Sequence, residues 1–325
     1  MHRRRLLALP LLAAPALAQE GPWPSRPITL LSGFPNGAGT DIYSRRLAEP
    51  LSRLLGQPII VDNRTGAGGN IASDMVAKAR PDGYLLLLGT GGTHAINQSL
   101  YRSLPFHVVN DFTPISHLGD VPNVLTTSLP RRPQFQNCAD VLTAARARPQ
   151  AVSYASTGNG ASTHLAGAQF AAAANVDLLH VPYRGQPGAQ GAVLAGDVDV
   201  FFNQVGPALG AIQGGQTRAL AVTTAEPVAA LPGVPTVAEA CGLPGFVSTT
   251  WYGLFGPAGL PPTIVARIND AIQQVISTAE FSQWLITNQG IAPAPVTTPE
   301  AFAAIQRRDV ASWAEVVRRS GATVD

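Results

Sequence analysis

The sequence predicts an α/β protein of two lobes, each a mostly parallel sheet flanked by helices, the lobes joined by two crossover strands. Three observations carry this. Strand-sized apolar runs alternate with helix-sized periodic segments along the chain. The alternation comes in two sets of similar build. Two extended segments, Asp111 to Thr127 and Val247 to Phe255, lie between the sets, so that the chain leaves the first lobe, builds the second and returns. A double connection of this kind makes a hinge. The expected division is 22–118 plus 248–325 for the first lobe and 119–247 for the second.

The first set opens with the apolar run Ile28-Thr29-Leu30-Leu31, the loop Gly33-Phe34-Pro35-Asn36-Gly37-Ala38-Gly39 and a periodic segment from Thr40 to Leu55. Thr40 reads as the N-cap, Asp41 complements the positive helix end, and Gly56 with Pro58 gives the stop. Pro50 predicts a kink or a break. Pro58 to Asp62 is a second strand, Ala67 to Lys78 a second helix, and Tyr84 to Leu88 a third strand. Its loop, Gly89-Thr90-Gly91-Gly92-Thr93, opens a helix from His94 to about Tyr101.

The second set has helix Cys138 to Ala147, strand Val152 to Ala155, loop Thr157-Gly158-Asn159-Gly160-Ala161 and helix Ser162 to Ala174. Strand Asp177 to Val181, a helix from about Gly188 to Ala195, strand Val198 to Asn203, a helix near Pro207 to Gln213 and strand Arg218 to Thr223 follow. After Val247 to Phe255 come helices beginning near Pro262 and Ala279, and a last one after Thr298-Pro299-Glu300, where Pro occupies the first helical position.

Composition narrows the function. The chain has 325 residues, 46% hydrophobic and only 13% charged, where soluble domains average about 25%. Three of the 22 Lys+Arg are Arg3, Arg4 and Arg5, ahead of an apolar run from Leu6 to Ala18 that ends Ala16-Leu17-Ala18. That pattern is a secretory signal peptide over 1–18, of Sec or twin-arginine type. Its removal leaves 19 Lys+Arg against 20 Asp+Glu and no basic tract, which argues against nucleic acid as a partner. Export permits a disulfide between Cys138 and Cys241, and two unpaired cysteines fit the sequence equally well.

Catalytic signatures are missing. There is no Gly-x-Ser-x-Gly elbow, no phosphate-binding Gly-Lys-Ser/Thr loop and no His-Glu-x-x-His. The histidines are scattered singly, without metal-ligand spacing, so neither a metal nor a cofactor is expected. Gly37-x-Gly39, with Asp62 some twenty residues on, imitates a dinucleotide fingerprint. It fails at Ile42, where close helix packing wants a small residue.

The glycine loops suit anions instead. Glycine lets backbone N–H groups approach a ligand, and a helix N-terminus adds unpaired donors and partial positive charge. Hydroxyls follow in each loop: Thr40; Thr90 and Thr93; Thr157, Ser162 and Thr163. None of the loops carries Lys or Arg. Tight strand-to-helix turns with ordinary caps are the alternative reading of any one of them.

An ordered series of motifs runs along the chain: Phe34-Pro35-x-Gly37-x-Gly39-Thr40-Asp41, Val61-Asp62-Asn63-Arg64-x-Gly66-Ala67-Gly68-Gly69-Asn70, Pro81-Asp82-Gly83-Tyr84, Asp111-Phe112-Thr113-Pro114, Gly158-Asn159-Gly160, His180-Val181-Pro182-Tyr183 and Trp251-Tyr252-Gly253-Leu254-Phe255-Gly256-Pro257. Together they resemble the Bug receptors, the TctC-like extracytoplasmic solute-binding proteins of tripartite tricarboxylate transporters. The resemblance implies a periplasmic-binding-protein-like, type II-like fold, an interlobe cleft, a small mono- or dicarboxylate ligand and membrane transporter subunits as partners. It implies a first ligand loop of Phe34, Gly37, Ala38, Gly39, Thr40 and Asp41, a second of Thr90, Gly91 and Thr93, and a third of Thr157, Gly158, Asn159 and Ser162, with His164 and Asn203 added. Asn36 and Phe202 depart from the family's pattern, which places ligand size or polarity in question at those points.

The sequence-level expectation is therefore a periplasmic binding protein without catalysis, a monomer by default. Two other readings stay open here. One is a sensor that docks a membrane signalling partner; the other is a secreted enzyme acting on a small acid with Asp41 or His164 as base.

Overall fold

The computed structural model describes residues 23–292, 294, 297–320 and 323–324. The expected signal peptide, 1–18, lies outside these residues. Among these described residues nine strands form one continuous sheet: β1 Ile28–Ser32, β2 Ile59–Asn63, β3 Leu85–Thr90, β4 Phe112–Ser128, β5 Ser153–Ser156, β6 Leu179–Pro182, β7 Val200–Gln204, β8 Thr217–Val222 and β9 Thr249–Pro257. The helices are α1 Gly39–Leu55, α2 Asn70–Ala77, α3 Asn97–Leu100, α4 Cys138–Ala147, α5 Ser162–Ala174, α6 Gln186–Ala195, α7 Val205–Gln213, α8 Val237–Ala240, α9 Pro262–Ile276, α10 Ala279–Trp284 and α11 Pro299–Ser320.

Strand order is β2-β1-β3-β9-β4-β7-β5-β6, with β8 also paired to β4. β1 pairs in parallel with β2 and β3, and β5 in parallel with β6 and β7. The antiparallel members are the two expected crossovers. β9 and β4 pair from Phe112 opposite Pro257 to Pro122 opposite Thr249. From Asn123 onward β4 pairs with β7 and β8 instead. One strand of 17 residues thus belongs to both halves of the sheet.

Apolar side chains collect on either side of that transition. β1 and β3 are buried along most of their length, as parallel strands covered on both faces must be. They pack with Tyr43, Leu47, Leu51 and Leu55 of α1 and Ile268 and Ile272 of α9. The second half buries Phe202 and Tyr154 of its strands with Phe170 of α5 and Val141 and Leu142 of α4. Ile96 and Leu100 meet Leu165 and Val317 in a small cluster that joins the halves.

Several local expectations are corrected. α1 runs through Pro50 to Leu55 without a break. Its apolar stripe at four-residue spacing outweighs the roughly 3 kcal/mol that an interior proline costs. Its N-cap is Ala38, with no side-chain cap, because the Thr40 hydroxyl turns to Ser32 Oγ at 2.9 Å. The second helix starts at Asn70, three residues later than expected, since Gly66, Gly68 and Gly69 all adopt positive φ. The third begins earlier, as a wide π-helical turn over Gly92–Ile96. The sixth starts at Gln186, and its Pro187 sits in the first turn where no intrahelical donor is needed. Phe202 is fully buried in the second core, and Asn36 is exposed; neither lines the cavity between the two halves. Cys138 and Cys241 form a disulfide, tying the start of α4 to the end of α8 with Cα atoms 5.4 Å apart.

Among the described residues no helix is long and apolar enough to cross a membrane.

Candidate functional site

The loops after β1, β3 and β5, at the carboxyl ends of their strands, converge on one cavity between the two halves of the molecule. This is where open α/β sheets place ligands. One side is formed by Phe34, Ala38, Gly39, Thr40, Gly68, Thr90 and Gly92. The other is formed by Thr157, Gly160, Ala161, Ser162, Gln186 and Gln204. The cavity measures about 30 Å³ to the centre of a water-sized sphere. At roughly 10–15 Å³ for one such position, this slot has room for about two or three water molecules.

Two helices of 17 and 13 residues start at this slot, α1 behind Ala38 and α5 behind Ala161. Alanine has no side chain able to cap, so neither helix end receives a side-chain hydrogen bond at its N-cap. In α5 the His164 amide turns back to the Ala161 carbonyl at 3.0 Å. The amides at the first two positions of each helix, Gly39 and Thr40 in α1 and Ser162 and Thr163 in α5, and the partial positive charge of each helix end are left for whatever occupies the cavity. None of the lining residues is charged.

Hydroxyl donors complete it. Thr90 Oγ1 accepts from the Thr93 amide at 3.1 Å and lies 3.3 Å from the Thr93 hydroxyl. The Thr157 amide donates to Thr163 Oγ1 at 2.9 Å, and the two threonine hydroxyls lie 3.0 Å apart. Ser162 stands at the first position of α5.

The close fit depends on glycine. A Cβ on Gly92 would lie 3.3 Å from the Gly160 carbonyl, and one on Gly68 3.4 Å from the Asn159 carbonyl. A Cβ on Gly185 would lie 2.7 Å from Pro35, and one on Gly39 would overlap Tyr252 and Gln204.

Of the sequence-predicted residues, the structure brings Phe34, Ala38, Gly39, Thr40, Thr90, Thr157 and Ser162 to the cavity. The others stand behind it. Gly37 donates its amide to Asp41 Oδ2 at 2.9 Å, and Asp41 also accepts from Arg45 Nε at 2.9 Å, so this carboxylate closes the first loop. Thr93 holds the second loop through the Thr90 amide and lies 2.8 Å from His94 Nδ1. Gly91 packs against Thr250 and Trp251. The Gly158 amide donates to Ser156 Oγ at 3.2 Å, and Asn159 is exposed with its carbonyl beside Gly68.

His164 accepts the Gly160 amide on Nδ1 at 3.1 Å and stacks on His180 with ring centres 4.0 Å apart. Burial holds the His164 imidazole down at about 4. Burial, with His164 beside it, holds His180 at about 3. Both rings are neutral at ordinary pH and serve the loop. Asn203 is fully buried and donates to Gln190 Oε1 at 2.9 Å.

Gln186 and Gln204 are the lining side chains that motif reading missed. Gln204 follows Asn203 at the end of β7, and alternation along a strand sends neighbours to opposite faces. Burial does not follow that alternation here: Val200 to Asn203 are all buried and Gln204 alone is partly exposed, which the sequence does not show.

Residues 43–321 match the family described as "Tripartite tricarboxylate transporter family receptor". The chain is 39% identical over 319 residues to a UPF0065 protein from the tcbD-tcbE intergenic region of Pseudomonas sp. strain P51, which covers 97% of this chain and 94% of that one. It is similar to the solved structure of R. palustris Rpa4515 with adipate, at 32% identity and a TM-score of 0.88 over 93% of this chain and 100% of that one. The structure of MatC from Rhodopseudomonas palustris with bound malate is 31% identical, with a TM-score of 0.83 over 91% of this chain and 100% of that one. The chain is a solute-binding receptor with the two-lobed fold of periplasmic binding proteins, and it belongs to the tripartite tricarboxylate transporter receptor family.

Proposed function

We propose that the protein captures a small organic mono- or dicarboxylate in the slot between its lobes and delivers it, in the periplasm, to the membrane subunits of a tripartite tricarboxylate transporter. One observation carries the reading: two uncapped helix N-termini, one from each half of the molecule, meet at a cavity lined by hydroxyls and amides and by no charged side chain. A carboxylate offers acceptors to both sets of donors. Because contacts from the two sides are complete only when the lobes are together, the ligand favours the closed arrangement. The adipate and malate complexes of the two relatives support this ligand class.

The lobes are 22–118 plus 248–325 and 119–247, with β4 and β9 as the double connection, and the receptor acts as a monomer. Release without chemistry is supported by the placement of the two candidate bases. Asp41 is engaged by Gly37 and Arg45, and His164 by Gly160, both behind the cavity. Titration calorimetry of the purified mature protein against four- to six-carbon and aromatic carboxylates tests the reading. Saturable binding of at least one acid is expected, and no heat across the series overturns it.

A further inference from the structure

We infer that Tyr252 is a positioning residue that fixes the Gln204 side chain with its amide N–H₂ toward the ligand, so that the site favours acids with a hydrogen-bond acceptor at that point over their α-amino counterparts. The inference rests on the carboxylate reading above and narrows it.

Tyr252 lies on β9 beside Thr90 of β3, is fully buried, and has the Tyr43 ring edge-on at 5.8 Å. Its hydroxyl donates to Gln204 Oε1 at 2.8 Å, crossing from one half of the molecule to the other. Burial pushes the phenol well above its ordinary range, so it keeps its proton and acts as a donor. Turning the amide over would set an N–H against the phenolic oxygen and leave the buried phenolic proton without this acceptor, which costs more than the bond itself returns. The pair rests on Gly39, where any Cβ would overlap both side chains. Gln204 therefore has one free end, and that end donates.

The consequence for the ligand is chemical. A carboxylate, keto or hydroxyl oxygen beside Gln204 accepts from it. An ammonium group there meets another donor, and no acidic side chain lines the cavity to offset its charge.

Calorimetry with paired acids tests this: L-malate against L-aspartate, and adipate against L-2-aminoadipate, on wild type, Tyr252→Phe and Gln204→Glu. The wild type is expected to bind the acid at least about tenfold more tightly than its amino counterpart. Tyr252→Phe keeps the ring but frees the amide, and should shrink that ratio by about threefold or more, with the melting temperature lowered by no more than the loss of one hydrogen bond. Gln204→Glu replaces the donor with an acceptor and should lower or reverse the preference, which keeps the question decidable if the tyrosine variant folds poorly. Equal binding of acid and amino acid by the wild type, or a ratio that neither variant moves, overturns the inference and leaves the carboxylate reading standing. No binding of any acid in the calorimetric series removes both.

Discussion

Gly92 and Gly160 face each other across the slot, so close that a Cβ on Gly92 would stand 3.3 Å from the Gly160 carbonyl oxygen. Each belongs to a different half of the molecule, and each sits where a loop delivers donors to the cavity. The closed arrangement is therefore built from backbone meeting backbone.

Gly92→Val places branched carbons into that contact without removing a donor. The expected result is a loss of ligand affinity of about tenfold or more with little change in melting temperature, because the two contacts it crowds, the Gly160 carbonyl and Thr90 Oγ1, both lie at the cavity. Calorimetry paired with thermal unfolding measures both. A proportionate fall in stability would mean that the contact serves folding instead.

Ser162→Ala removes one neutral donor at the head of α5. A loss of roughly 0.5–1.5 kcal/mol in binding is expected, and up to ~3 if the bond is made directly to a carboxylate. Unchanged affinity would remove Ser162 from the site.

Reduction of the Cys138–Cys241 bridge opens a loop that spans 103 positions. The expected cost is roughly 2–4 kcal/mol of stability, from the greater freedom of the unfolded chain. Urea unfolding with and without reductant measures it. Ligand affinity should be unmoved, since neither cysteine lines the cavity.

Acid should loosen the second lobe. Burial depresses His164 to about 4 and His180 to about 3, from an ordinary 6.5. The unfolded chain then binds more protons than the folded one between those values, so stability rises with pH across the window. It is complete above about pH 6.5 and is lost as pH falls toward about 4. His164→Asn, whose side-chain oxygen can still accept the Gly160 amide, should flatten that slope in unfolding measured from about pH 7 to about pH 4.5.

The residues legible in sequence were those whose roles are set locally. The limits of α4 and α5 agree with the expected Cys138 to Ala147 and Ser162 to Ala174, where the patterns of apolar and breaking residues are clean. The crossovers were visible as extended runs between two repeated sets. What sequence could not supply was direction. Thr40 reads as a cap, yet Ser32 on the neighbouring strand draws its hydroxyl away. Asn203 resembles a ligand residue, and Gln204, one step along the pleat, is the one that reaches the cavity. Asp41 and His164 sit inside the right motifs, but they spend their hydrogen bonds on Gly37 and Gly160 and so shape the loops.

A crystal structure of the protein with the acid that binds best in calorimetry decides whether both helix ends hold the ligand. One carboxylate of that acid is expected in the slot, with oxygens in hydrogen-bonding reach of the first turns of both α1 and α5 and of the Thr90 and Ser162 hydroxyls, directly or through one water. An acid bound outside the slot, or held from one lobe alone with the helix ends unengaged, would contradict that expectation.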